Sequence, residues 1–258
     1  MDVGKLFGFA VAVWNRIMGF FSTTKRKIIA LVLAVVICAG AVVGVLLIVN
    51  QKNKDDDLKP HGYCMMTLSG DETYYIVTGL EDQNCTEIII PSEYKGKPVK
   101  GIGYSAFIDC SSLTSVVIGD SVTSIGDRAF EYCRSLTSVV IGDGVTSIGN
   151  SAFYNCYSLT SVVIGNSVTS IDKYAFSGCS RLTSMVIPDS VTSIGYRAFA
   201  GCDSLKSITF KDTSTWYRTT SSSNWQNKTG GTSTSVGDSS TNATYFTSTD
   251  CDYYWYKI

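Results

Sequence analysis

The chain has 258 residues, enough for one sizeable domain or two small ones, and a formal net charge of −1. That balance excludes a basic nucleic-acid binder and an acidic tail. The single histidine, His61, stands in KPHGY beside a charged run, which argues against Ser-His-Asp and Cys-His chemistry.

The first segment, residues 1–27, contains VGKLFGFAVAVWNRIMGFF, an apolar run cut by Asn15 and Arg16. It reads as an interfacial helix with Trp14 and the phenylalanines at headgroup level. A two-span hairpin is the alternative and would reverse the side on which the remaining chain lies. Ile28 to Val49 is 22 residues without a charge. It reaches about 33 Å, against a hydrocarbon core of about 30 Å. Lys25, Arg26 and Lys27 precede it, and with Lys5 and Arg16 they favour a cytoplasmic N-terminus. The run is too long for an ordinary cleaved signal, no A-x-A site follows, and Cys38 is preceded by Ile37, not a small residue. Residues 28–49 therefore read as an uncleaved transmembrane signal anchor, with everything after Asn50 outside. Gly40 and Gly44 form a GxxxG, either a helix-dimer face for a homo-oligomer or simply small residues in a membrane helix. Residues 50–62, NQKNKDDDLKPHG, read as a polar linker.

Residues 63–98 form an N-terminal cap, in which YYIV and TEIIIP are expected to pair as strands across GLEDQN. Cys64 and Cys85 lie in this cap, bridged or free. From residue 99 to 210 the chain repeats itself. Leu113–Ser135 and Leu136–Ser158 are identical at 17 of 23 positions, and the unit recurs from Leu159, Leu182 and, partially, Leu205. Such a period marks a solenoid. In the first unit the apolar set is Leu113, Val116, Ile118, Val122, Ile125, Ala129, Phe130 and Cys133, which one unit cannot bury alone. The spacing predicts a strand at Ser115–Ile118 pairing in parallel with Ser138–Ile141, about 4.8 Å away. A turn at Gly119–Asp120 and a second extended piece around Val122–Ile125 follow. Asp127–Tyr132 is expected to make one helical or 3₁₀ turn capped by Asp127. Cys110, Cys133, Cys156, Cys179 and Cys202 are each 23 residues apart. They read as buried free thiols, since stacked equivalents point the same way and no cationic setting activates them. The fold class is a mainly β solenoid of 23-residue units with short helical or 3₁₀ turns, preceded by a single transmembrane helix.

Residues 211–258 are rich in Ser and Thr but carry Trp216, Trp225, Tyr245, Phe246 and a final DYYWYK. These aromatics either cap the last coil or stack on sugars. A long irregular loop, partly mobile near Thr229–Thr241, is expected.

The LTSVVI strand, the VTSIG segment and the AF-x-x-C-x-x-L closing turn resemble the BspA-type leucine-rich repeats over residues 99–210. The flanks YYIVTGLEDQNCTEIIIPSEYKGKPV and ATYFTSTDCDYYWY resemble the ends of such domains. Members often carry Pro after the strand. Pro91 and Pro188 stand there, while Gly119, Gly142 and Gly165 take its place in the other units, a change expected to loosen the turns. The resemblance implies a surface protein, mostly bacterial, associated with adhesion.

Differences between units cluster around the Ala-Phe turn. Tyr104, Arg128, Tyr132, Tyr154, Tyr157, Lys173, Tyr196 and Arg197 build a candidate partner-binding edge from residue types that anchor protein interfaces. Drift at solvated positions would produce the same variation. The second candidate is the sheet, where Val117, Val140, Val163 and Val186 make an apolar stripe between Ser and Thr. Strand propensity alone is its plain alternative. No carboxylate cleft, phosphate loop or metal cluster is visible, so neither enzyme activity nor a cofactor is expected. The expected function is a membrane-anchored extracellular module binding or adhering to a protein or cell-surface ligand, with no nucleic-acid partner. A self-associating envelope protein and a carbohydrate-binding module using the C-terminal aromatics are the alternatives.

Overall fold

A computed structural model describes residues 64–212, 215–220, 232–234, 239–247 and 252–257, all within the unit Asp57–Ile258. The interfacial segment, the 28–49 span with Gly40 and Gly44, and the linker lie outside them. Among the described residues no helix is long and apolar enough to cross a membrane.

Each 23-residue unit makes one coil with a longer strand, a short return strand and a column of turns. The longer strands are β6 (Ser115–Ile118), β8 (Ser138–Val140), β10 (Ser161–Val163), β12 (Ser184–Ile187) and β14 (Ser207–Phe210). Between them come β7 (Ser124–Ile125), β9 (Ser147–Ile148), β11 (Ser170–Ile171) and β13 (Ser193–Ile194). Both sets stack in parallel at the repeat's own register, Ser115 on Ser138 and Ser124 on Ser147, the longer set with one break in its pairing, between β10 and β12. One inward residue follows from each alternate position, so Val116, Ile118, Ile125, Val139 and Ile148 are buried. Phe107, Phe130, Phe153, Phe176 and Phe199 are fully buried and stack face to face at 4.9, 5.0, 5.2 and 5.6 Å between centroids. This is the continuous core that a single unit cannot form.

The invariant Thr of LTS and VTS is explained by the stacking. Thr137 Oγ1 donates to the Thr114 carbonyl at 2.9 Å, and Thr146 Oγ1 to the Thr123 carbonyl at 3.0 Å. These hydroxyls, with those of Thr160, Thr169 and Thr192, tie their coils to the ones before. The thiols do likewise: Sγ of Cys133, Cys156, Cys179 and Cys202 lies 3.1–3.3 Å from the carbonyl of the Phe one coil back. All seven cysteines described, including Cys64 and Cys85, are free.

Four expectations need correction. The Ala-Phe segment is not a helical or 3₁₀ turn. Arg128 and Tyr132 both have positive φ, 57° and 60°, which no right-handed helix admits. The segment is instead a run of β-turns, with Ala129 N–H donating to Gly126, Glu131 to Arg128 and Cys133 to Phe130. Asp127 therefore caps no helix; its Oδ1 accepts from Asn150 N–H in the next coil at 2.9 Å. In the N-terminal cap YYIV and TEIIIP do not pair. β2 (Tyr75–Leu80) forms a hairpin with β1 (Cys64–Leu68) and runs parallel to β5 (Lys97–Ile102), which β4 (Glu93–Tyr94) also flanks. β3 (Glu87–Ile90) joins the other sheet beside β6. They are the two strands of a first coil, not one ribbon.

Nor do the glycines loosen the turns. A Cβ on Gly142 would stand 2.7 Å from the Ile118 carbonyl oxygen, and one on Gly165 2.2 Å from that of Gly142. Glycine is there because successive coils approach too closely for a side chain.

The C-terminal segment is the fourth case. β15 (Trp216–Thr219) pairs with β16 (Thr232–Thr234), and α1 (Ser239–Thr247) packs on β14. β17 (Tyr254–Lys257) lies antiparallel to β13 and ends the parallel run. These elements fall partly inside the stretch expected to be an irregular, mobile loop. Buried aromatics order them: Trp216, Phe246 and Trp255 are at most 3% exposed, and Phe246 meets the last core ring, Phe199, edge-on at 5.7 Å.

Candidate partner-binding edge

The turn column buries its Ala-Phe pair and turns the flanking residues outward. Alternating left-handed corners set this direction. Ser105, Arg128, Ser151, Tyr174 and Arg197 occupy one set, and Asp109, Tyr132 and Asn155 the other, all with positive φ. Gly178 and Gly201 continue the second set.

Along this edge tyrosines form a ladder. Tyr132, Tyr154, Tyr174, Tyr196 and Tyr254 succeed one another at centroid distances of 5.8, 6.5, 5.7 and 5.7 Å. The first three contacts are edge to face, at 78° to 88°. This is the preferred geometry of rings with negative faces and positive rims. Tyr132, Tyr154, Tyr174 and Tyr196 are half-buried and Tyr254 is buried behind them; each ring holds the next, so the ladder presents aromatic surface whose side-chain freedom is already spent. Guanidinium groups flank it: Arg134 lies over Tyr132 at 5.7 Å and Arg197 over Tyr196 at 5.2 Å. Arg197 Nε also reaches Asp252 at 2.5 Å. Burial raises the Tyr196 phenol above its ordinary range.

At the N-terminal end of the edge Tyr104 stands 67% exposed. Its hydroxyl accepts from Arg128 Nη1 at 3.0 Å, and Arg128 is paired with Glu131. The hydrogen bond from Arg128 draws the Tyr104 phenol below its usual range.

Three of the eight edge residues read from sequence thus belong to the ladder: Tyr132, Tyr154 and Tyr196. Arg197 stacks on it, and Tyr104 and Arg128 form a separate pair. Tyr157, 42% exposed, and Lys173 make no ring contact among the described residues. Tyr174 and Tyr254 escaped the sequence reading. Ladder neighbours are 22, 20 and 22 residues apart, so a comparison at period 23 aligns Tyr174 with Arg128, Ser151 and Arg197. Tyr254 lies beyond the repeats altogether.

The sheet candidates occupy the outer face of the longer strands. Val117, Val140 and Val163 are half-buried and stand in register, with Ile89 before them. Val186 is 42% exposed but belongs to a separate two-stranded sheet, beside Thr209.

Of the aromatics considered for sugar stacking, several are taken up by the core of the cap. Trp216, Phe246 and Trp255 are buried in the cap, and Tyr245 packs on Trp255 at 5.8 Å. Trp225 lies outside the described residues. Burial pushes the Cys133, Cys156 and Cys179 thiols well above their ordinary range, Cys110 to about 11 and Cys64 to about 12. They remain protonated near neutral pH and are poor nucleophiles. Among the described residues no group of His, Cys, Asp or Glu side chains could hold a metal ion.

Comparison with known proteins matches residues 100–227 to the BspA type leucine rich repeat region, in six copies. No curated protein matches the chain. Among solved structures, a leucine rich repeat protein of T. pallidum is 32% identical with a TM-score of 0.55, covering 61% of this chain and 71% of its own. A leucine rich cell surface protein of Faecalibacterium prausnitzii is 36% identical with a TM-score of 0.51. A leucine-rich repeat protein of Bacteroides ovatus is 34% identical with a TM-score of 0.52. These two matches cover 59% and 60% of this chain but only 43% and 41% of the bacterial proteins.

Proposed function

The chain belongs to the BspA-type leucine-rich repeat family, and from that premise we propose that it is a membrane-anchored protein whose tyrosine edge binds a protein partner outside the cell. The tyrosine ladder from Tyr132 to Tyr254 carries this reading. Tyr supplies large, amphipathic contact area at low entropic cost, and rings already locked against one another lose little more on binding. Arg134 and Arg197 on its flanks are of the type that anchors interfaces. The surface location is supported by the F. prausnitzii relative, a cell surface protein, and by the apolar 28–49 run with its N-terminal basic cluster.

Two measurements test this. Protease added to intact cells should remove the repeat domain; a domain cut only after lysis overturns the orientation. Partner proteins captured by the full-length chain should be lost, by about tenfold or more in affinity, in Tyr154→Ala and Tyr174→Ala at unchanged thermal stability. Retained affinity in both, with loss in Val140→Ser, would move the binding site to the sheet. That second reading is favoured by the exposure of Val186.

A further inference from the structure

Between the unit Leu159–Arg181 and the unit Leu182–Ser204 the coils are bonded on two sides and unbonded on the third. The return strands hold: β11 pairs with β13, Thr192 N–H reaches the Thr169 carbonyl at 2.8 Å, and Gly195 N–H that of Ile171 at 2.7 Å. The turn column holds too. Amides of Tyr174, Phe176 and Gly178 donate to Tyr196, Ala198 and Ala200 at 3.0, 2.8 and 2.7 Å. The longer strands do not: β10 and β12 lie in different sheets. At the preceding junctions Thr137 N–H donates to Thr114 and Thr160 N–H to Thr137, at 2.8 and 3.0 Å, and Ile141 N–H donates to Val163 at 2.9 Å. Thr183 makes no such bond to Thr160, Ile164 makes none to Val186, and the Thr hydroxyl bond is missing with them. The core shows through at this point. Val162 faces inward yet is only half-buried, whereas its equivalents Val116, Val139 and Met185 are at most 2% exposed.

Two residues of the later unit account for the gap. Met185 stands where the three earlier units have Val, and added bulk in a close-packed layer forces its walls apart. Pro188 stands where those units have Gly. It brings a side chain to a corner where coils elsewhere meet within 2.8 Å of a would-be Cβ, and it lacks the N–H that Gly119 gives to the Ile90 carbonyl at 2.9 Å.

We infer that the solenoid carries a one-sided hinge at this junction. The short strands and the turn column are its closed spine, and the gap between Ser161–Val163 and Ser184–Val186 is its open side. Opening changes the separation of Val163 from Val186 while leaving the Tyr174–Tyr196 contact on the spine. The tyrosine edge is thereby a rigid surface and the valine face an adjustable one.

Amide hydrogen exchange on the full-length chain in detergent tests this. Amides of Thr183, Ser184 and Ile164 should exchange about tenfold or more faster than their equivalents Thr137, Ser138 and Ile141, which are bonded across their own junctions, while the amides that β12 directs at β14 stay protected. The double variant Met185→Val/Pro188→Gly, which restores the residues of the unit Leu136–Ser158, should slow them to that unit's level. Equal protection of the two sets of amides in the unaltered chain overturns the hinge, and this comparison stands even if the variant does not fold. Fast exchange that persists in a folded double variant overturns the assignment to Met185 and Pro188.

Discussion

A solenoid spends each repeated side chain on its neighbour, so single substitutions act on two junctions at once. Phe153 is sandwiched between Phe130 and Phe176 at 5.0 and 5.2 Å and has no access to water. Phe153→Ala should cost about 3–5 kcal/mol in chemical denaturation. An unchanged midpoint would show that the rings do not bear on one another. The thiols add a pH dependence. In the unfolded chain they lose their protons near pH 8.5. In the folded chain burial keeps Cys133, Cys156 and Cys179 protonated to much higher pH. Above that unfolded value the native state binds more protons than the unfolded state, so stability falls as pH rises. Each thiol contributes a slope of about 1.4 kcal/mol per pH unit, and none of this loss occurs below about pH 8. Denaturation midpoints between pH 7 and 10 measure it, and Cys156→Ala should flatten the slope by one proton.

At the scale of elements, what the sequence made legible was whatever repeats at period 23. The strand at Ser115–Ile118, its parallel partner, the return strand at Ser124–Ile125 and the free buried cysteines all follow from residues that must stack on their own copies. The turn column was misread because helical propensity says nothing of left-handed corners, and Arg128 and Tyr132 are ordinary residues forced into them by the stacking. Tyr174 was missed because the ladder runs obliquely to the repeat. In the C-terminal segment the capping aromatics were legible as one of two readings, but the strands and helix they hold were not, because the Ser/Thr-rich sequence around them carries no apolar period. The cap closes the edge of β14 through Asn242, whose Nδ2 donates to the Ile208 carbonyl at 3.0 Å. Asn242→Ala leaves that buried carbonyl unsatisfied and should cost about 1–3 kcal/mol. Trp216→Ala removes a fully buried ring against Phe210 and should cost about 3–5 kcal/mol. Thermal unfolding of the two variants measures both effects. A Trp216→Ala chain of unaltered stability would place that ring at the surface after all.

For the whole molecule, the number of coils is adjustable and their phase is not. Contacts run from each coil to the next, so stability is approximately a sum over units and junctions. Deleting residues 136–158 joins Ser135 to Leu159, and every inward residue finds the same neighbour one coil on: Val116 meets Val162, and Phe130 meets Phe176. The sheets should close with unchanged register, and the denaturant dependence should fall in proportion to the surface lost. Deleting residues 136–146 instead removes a longer strand but keeps its return strand. It asks the end of a turn column to continue directly into Ser147–Ile148 on the opposite side of the coil. No short connection spans that distance without leaving Phe130 and Phe153 in different layers. That shorter deletion should cost more than the longer one. It should abolish cooperative unfolding and make the buried cysteines reactive to a thiol reagent at neutral pH, while the in-phase deletion keeps them protected. If both chains protect their thiols equally, the coils are not the independent units that the repeat implies.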